Sequence, residues 1–199
     1  MHIPDLVATA PAAALPDAPQ RRFSPTGACD IGIRSFTPDQ AAAVRDLVLA
    51  IQQQEFGLPV SAASQPDLPD IPGSYQRGRG GLWVALRGAQ LVGCIGLLDI
   101  GQGRGALRKL FVAAPFRGSR FGVAQALLQT LLRGCLERGV GELWLGTTEK
   151  FLAAHRFYEK NGFARAARSA LPPGFPLMEV DTRFYRWTAS ARPPSGASC

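Results

Sequence analysis

Apolar positions along this chain change their spacing several times, and each change marks an element. Ile31-Gly32-Ile33-Arg34-Ser35-Phe36 alternates apolar with small or polar residues, the period of a strand. Val44, Leu47, Val48 and Ile51 then recur at helical spacing. They follow Thr37-Pro38-Asp39-Gln40, which combines a capping residue, proline at the first helical position and Gln three residues after the cap, so a helix over about 38–54 is predicted. Leu82-Trp83-Val84-Ala85-Leu86 and the run Leu91 to Leu98 are β-rich and flank a four-residue turn, Arg87-Gly88-Ala89-Gln90, which makes a hairpin. LRKLFV, Leu107 to Val112, reads as the next strand.

A long helix from about Phe121 to Arg138 places Ala124, Leu127, Leu128, Leu131, Leu132 and Cys135 on one face, and Gly139 stops it. Glu142 to Thr147 reads as a strand. A shorter helix from about Glu149 ends at Asn161-Gly162, and residues 177–187 read as a last strand. The order implies an α/β fold: one mixed central sheet with helices packed on its faces, in which residues 107–147 form a parallel strand–helix–strand crossover. Residues 30–187 are the expected domain. The Ala/Pro-rich stretch 1–29 and the end 188–199 read as flexible tails. Residues 55–80, dense in Pro and Gly, form a long loop with room for a short helix, and loops of that length tend to serve function.

The segment between the strand at 107–112 and the long helix is Arg117-Gly118-Ser119-Arg120-Phe121-Gly122. A loop of small residues that opens a helix aims successive N–H groups at one spot, with the positive end of the helix dipole behind them. Arg117 adds a fork of donors matched to a pair of phosphate oxygens. Such a cradle suits a nucleotide, a nucleic-acid backbone or a phosphorylated cofactor.

Composition narrows those choices. A chain of 199 residues with 46% hydrophobic and 19% charged residues has the makeup of a globular domain with a real core. No apolar stretch approaches the roughly 20 residues of a bilayer span, so no membrane partner is expected. The first residues, MHIPDLVATAPAAALPDAP, lack a positive start and carry repeated prolines, unlike a secretory signal. The net charge of +7 is spread over scattered arginines, with only Lys109, Lys150 and Lys160 as lysines and no basic run interleaved with aromatics, so no nucleic-acid partner is expected. Cys29, Cys94, Cys135 and Cys199 form no CxxC pair; they read as thiols of a reducing, cytoplasmic setting. His2 and His155 alone give no metal-ligand cluster, and no metal is expected.

Over about residues 31–187 the chain resembles the GNAT family of acyl-CoA-dependent N-acetyltransferases. Three segments carry the resemblance: LRKLFV, the loop and helix start RGSRFG-VAQALL, and AAHRFYEKNGF. The family's loop pattern, Arg/Gln-x-x-Gly-x-Gly/Ala, is matched at Arg117 and Gly122, while Arg120 stands where a glycine is common. The resemblance implies a sheet with a splayed parallel strand pair and acetyl-CoA as acyl donor. It implies transfer to the primary amine of a small or amino-acid-like acceptor, by direct attack in a ternary complex. The backbone of Leu110, Phe111 and Val112 would then pair with the pantetheine arm. Gly118, Ser119, Arg120, Phe121, Gly122 and Val123 would cradle the pyrophosphate beside Arg117. Tyr158 takes the family's tyrosine position as general acid, and Phe151 stands where many members carry Asn.

The chemistry makes three demands. An alkylammonium near pKa 10.4 is neutral to only roughly one part in two to three thousand at pH 7, so a proton acceptor is needed. Glu149 at the end of its strand is the first candidate base, with Asp99 and Glu55 as others. An N–H of the splayed strand would serve the oxyanion, and Tyr158 would donate to the leaving sulfur. His155 reads as a solvent-facing helical residue and is set aside. Glu55, Asp67 and Asp70 stand where an acceptor would enter, between the 55–80 loop and the hairpin, and read either as attractors of a cationic amine or, the commoner case, as solvated loop residues. The alternatives are a protein N-acetyltransferase, a basic nucleotide- or nucleic-acid-binding module, and an acyl-CoA binder without turnover. A homodimer is compatible with the sequence.

Overall fold

Two edges part in the middle of the sheet, and the rest of the fold is arranged around that gap. The computed structural model describes residues 31–189 and the backbone of a two-residue strand, Arg22–Phe23. Apart from that strand and the last two of those residues, the stretches 1–29 and 188–199 read as tails lie outside the described residues. The strands are β1 (Arg22–Phe23), β2 (Ile31–Ser35), β3 (Gly81–Arg87), β4 (Gln90–Asp99), β5 (Arg104–Val112), β6 (Glu142–Thr147), β7 (Ala164–Ala166) and β8 (Arg183–Thr188), in sheet order β1-β2-β3-β4-β5-β6-β8-β7. Every neighbouring pair is antiparallel except β5 and β6.

That parallel pairing is short. Arg104, Gly105 and Ala106 pair with Glu142, Leu143 and Trp144, and from Leu107 onward the two strands diverge. β5 stays with β4, whereas Leu145, Gly146 and Thr147 stay with β8. The edge of β5 therefore faces a cleft rather than a neighbour. The β4–β5 register slips between Cys94 and Gly96, and opposite the slip Lys109 adopts φ +55°. A left-handed lysine is costly for an L-residue. Surrounding contacts hold it, among them the Cys94 thiol donating to the Lys109 carbonyl at 3.1 Å.

Helices α1 (Ala41–Leu49), α2 (Ile71–Tyr75), α3 (Val123–Glu137) and α4 (Leu152–Lys160) cover the sheet. The alternation along β3 shows why both faces are packed. Leu82 and Val84 join a core with Val44, Val48, Ile71 and Tyr75 of α1 and α2, while Trp83 and Ala85 join one with Leu127, Leu128 and Leu131 of α3. A strand covered on both sides reads as a continuous apolar run.

The expected elements form with shifted limits. Pro38–Gln40 is a 3-10 turn ahead of α1, with the Gln40 side chain accepting from the Thr37 N–H at 3.0 Å. Ala50–Glu55 continues α1 as a π-helical turn. The loop at 55–80 contains the short helix α2, and β5 starts three residues before Leu107. The last strand needs correcting. Residues 177–182 are irregular, because the Asp181 carboxylate accepts from the Met178 N–H at 3.1 Å and folds the segment back on itself. The strand begins only at Arg183, and the three-residue β7, too short to show a period, joins its other edge.

Candidate active site

The cleft between the parted strands is narrow, about 90 Å³. Its walls include Leu107, Arg108, Leu110 and Phe111 of β5, Thr147 at the end of β6, and Tyr158 of α4. Two of the three β5 residues expected to pair with an extended ligand, Leu110 and Phe111, line it; Val112 is buried just beyond. Phe151 closes one end, with its ring edge-to-face to Phe56 at 4.5 Å and to Phe111 at 6.3 Å. Phe151, at the position where many members of the resembled family carry Asn, thus belongs to an aromatic cluster.

At the far end of β5 the chain enters the phosphate-type loop. The left-handed residues are Gly118 (φ +89°) and Gly122 (φ +62°), where a side chain would be strained. Arg120 is not among the positive-φ residues, which explains how an arginine replaces the family's usual glycine there. Its guanidinium lies over the Phe121 ring at 5.5 Å from the centroid. The Gly122 N–H closes the loop on the Gly118 carbonyl at 3.2 Å. Ser119, Arg120 and Phe121, and then Val123 and Ala124 in the first turn of α3, carry N–H groups with no protein acceptor among the described residues. This is a cluster of aimed donors at the start of a 15-residue helix.

Arg117 is engaged. Its terminal nitrogens donate to both Glu55 oxygens, at 2.7 and 3.0 Å, and its Nε donates to the Val112 carbonyl at 2.7 Å. Glu55 is thus a partner of the cradle and not a base in the cleft.

Tyr158 lines the cleft and is packed by Phe163 and Tyr185, with centroids 5.5 and 5.9 Å away. Burial first, and then the charges of Asp181 and Tyr185, push its phenol well above the ordinary value of 10. It remains a protonated donor across the physiological range. Glu149 is exposed and is not among the cleft residues; its N–H donates to the Thr182 hydroxyl at 3.0 Å. His155, expected to face solvent, is instead buried, with Nε2 at 2.9 Å from the Thr148 carbonyl. Asp99 accepts from the N–H groups of Arg79 and Gly101, both at 2.9 Å, and serves a turn away from the cleft.

The carboxylate that does face the cleft is Asp181, which sequence reading placed inside a strand. Burial raises its carboxyl above the ordinary value, against the pull of the Met178 N–H and of Arg108 and Lys109. Only the polarity of Asp181 at the edge of an apolar run hinted at this position.

Under the cleft lies a buried polar network. Lys109 Nζ is 3.1 Å from an Asp67 oxygen and donates to Gln65 Oε1 at 2.5 Å, and Gln65 Nε2 donates to Gln52 Oε1 at 2.9 Å. The Tyr75 hydroxyl donates to the other Asp67 oxygen. Desolvation acts to raise the Asp67 carboxyl, but Lys109, Arg108 and Tyr75 together hold it below the usual range. Desolvation dominates at Lys109 and brings the ammonium down to about 8, despite Asp67. The network pins the 59–70 loop to the bulge of β5. Asp67 is therefore committed to this network. Asp70 caps α2 through the Gly73 N–H at 2.8 Å. Glu55, Asp67 and Asp70, candidates either to attract a cationic amine or to be solvated loop residues, are all engaged with protein partners.

Comparison with known proteins bears on this arrangement. Residues 46–163 match the model of the acetyltransferase (GNAT) family. The chain is 31% identical over 127 residues to a mouse (Mus musculus) protein named "Probable N-acetyltransferase family 8 member 5", covering 61% of this chain and 55% of that one. It is 30% identical over 131 residues to the N-acetylaspartate synthetase of Danio rerio, covering 64% and 46%. The chain thus spans about half the length of these curated relatives. A crystal structure of a GNAT-family acetyltransferase from Staphylococcus aureus Mu50 superposes with a TM-score of 0.77 at 32% identity, covering 80% of this chain and 99% of that one.

Proposed function

The chain belongs to the GNAT acetyltransferase family, and we propose that it transfers an acetyl group from acetyl-CoA to the primary amine of a small-molecule acceptor. The observation that carries this reading is the gap that opens between β5 and β6 at Leu107, with the donor-rich loop Gly118–Val123 at one end and Tyr158 and Asp181 at the other. The loop and first turn of α3 hold the pyrophosphate, and the exposed edge of β5 around Leu110 and Phe111 takes the extended arm as an added strand. Several charge-assisted hydrogen bonds at roughly 1.5–3 kcal/mol each outweigh the dipole contribution of about 0.3–1 kcal/mol.

Asp181 rather than Glu149 accepts the first proton of the acceptor's ammonium. The amine nitrogen then forms a C–N bond to the thioester carbonyl carbon. Negative charge building on the carbonyl oxygen is met by a backbone N–H at the bulge of β5. The C–S bond breaks, the sulfur leaves with the electron pair, and the nitrogen gives up its second proton. The products are the N-acetyl amine, coenzyme A as its thiol, and one proton released to solvent. The Tyr158 phenol is a weaker acid than a thiol, so its part is to hydrogen-bond the departing thiolate; the proton that completes the thiol comes through solvent. The order is direct attack within one complex.

Residues 59–67 and 176–180 wall a half-open pocket of about 780 Å³ on the acceptor side, a size that suits a small acceptor. A screen of amines and peptides with thiol-release detection tests the proposal. Turnover with small amines supports it, and turnover confined to peptides replaces the small-molecule acceptor with a protein one.

A further inference from the structure

Resting on the acetyl-transfer reading above, we infer that the acceptor is a free α-amino acid with an apolar side chain, its carboxylate on Arg108 and its side chain in the pocket between residues 59–74 and 176–180. The pocket is about 780 Å³, within the range of small-molecule sites. Arg108, Met178 and Val180 line both this pocket and the narrow cleft, so the two spaces meet at Arg108. An acceptor lying in the pocket reaches the acetyl group by passing that guanidinium.

Arg108 is fixed but not consumed. Its side chain is only 10% exposed, Nη1 donates to the Pro176 carbonyl at 2.7 Å, and Nη2 stands 3.7 Å from Asp67. Asp67 has the nearer Lys109 ammonium and the Tyr75 hydroxyl as closer partners. Arg108 therefore keeps donors and charge for a ligand, and a largely buried guanidinium is matched to a carboxylate. Across the cleft Asp181 offers the opposite charge.

Lys109 is matched by Asp67 at 3.1 Å, with Arg108 at 3.7 Å beyond it, while Asp181 stands on the cleft side and Glu179 on the pocket wall. That arrangement complements a zwitterion whose amine and carboxylate share one carbon: the ammonium faces Asp181 and the carboxylate faces Arg108. A polyamine would bring its second cation against Arg108. A peptide N-terminus would offer no carboxylate at that point.

The rest of the pocket is mainly apolar, with Val60, Leu98, Leu177, Met178 and Val180 among its walls beside Ser64 and Ser74. Leu177 is 42% exposed, one of three large hydrophobic side chains so exposed among the described residues. An apolar acceptor side chain covers it. Glu179 on the same wall disfavours a second carboxylate.

The experiment is a comparison of kcat/KM, by thiol release at fixed acetyl-CoA, for leucine, phenylalanine, alanine and aspartate and for leucinamide and phenylalaninamide. Wild type is expected to prefer each free acid over its amide by about tenfold or more, and leucine or phenylalanine over aspartate. Arg108→Gln removes the preference for acid over amide while saturable acetyl-CoA binding, measured by titration calorimetry, persists. Leu177→Glu, on an exposed site that does not test folding, lowers leucine about tenfold relative to alanine. Amides that match their acids in wild type, or amino acids inert while other amines are acetylated, overturn this inference and leave acetyl transfer standing. Absence of acetyl-CoA binding overturns the underlying reading instead.

Discussion

The Arg117 guanidinium clasps the Glu55 carboxylate through both terminal nitrogens, at 2.7 and 3.0 Å, while its Nε holds the Val112 carbonyl at 2.7 Å. One side chain thus joins the π-turn after α1 to the last residue of the splayed strand, at the mouth of the phosphate-type loop. Both partners are about one-third exposed, so the pair itself is worth no more than about 0–1 kcal/mol. On the proposed reading, a pyrophosphate would compete with Glu55 for this fork.

Removing the competitor strengthens binding. Glu55→Gln is expected to lower the Kd for acetyl-CoA severalfold, and Arg117→Ala to raise it about tenfold, an effect that shrinks with added salt. Calorimetric titration of both variants checks this. Weaker binding in Glu55→Gln would mean that Arg117 does not reach the phosphates.

Tyr158 packs through its ring on Phe163 and Tyr185 and lines the cleft, so Tyr158→Phe keeps those ring contacts and removes little from the fold. We expect kcat to fall at least tenfold with acetyl-CoA affinity and melting temperature nearly unchanged. Unaltered kcat would reduce Tyr158 to a packing residue.

Asp181 must be ionised to accept a proton. Burial raises its carboxyl above the ordinary 3.8, so the acid limb of kcat/KM falls at a higher pH than an exposed aspartate would give. Asp181→Asn is expected to lower kcat and to abolish that limb. A pH profile identical in shape to wild type would remove Asp181 from the proton path.

Lys109 is 6% exposed, and desolvation carries its ammonium from the ordinary 10.5 to about 8. The folded value lies below the unfolded one, so the charged form is carried at a cost below about pH 8. Between about 8 and 10.5 the unfolded chain binds the extra proton, and this group's contribution to stability rises with pH. An NMR titration of the Lys109 side chain should show a midpoint near 8, and Lys109→Met should flatten the stability profile in that window. A midpoint at the ordinary value would place the ammonium in solvent.

Much of the site could be read from local sequence. LRKLFV, RGSRFG and the helix carrying Tyr158 are contiguous, and their signals are periodicity, glycine and a helix stop. Gly118 and Gly122 do occupy the left-handed positions, and Arg120 sits at an ordinary φ. What stayed hidden depends on distant partners. Lys109 takes a left-handed conformation because Cys94, Gln65 and Asp67, remote in sequence, hold its two ends. Asp181 was obscured by the apolar residues before it, since the turn that places it in the cleft is made by its own side chain on the Met178 N–H. The carboxylates of Glu55, Asp67 and Asp70 looked free because their partners lie on other elements or in a cap.

The most direct test of the account is isothermal titration of the protein with acetyl-CoA. A saturable site of micromolar affinity, with the largest amide shifts in a parallel NMR titration at Ser119 to Ala124 and at Leu110 and Phe111, is the predicted result. No saturable binding, or binding whose shifts lie away from the gap between β5 and β6, would contradict it.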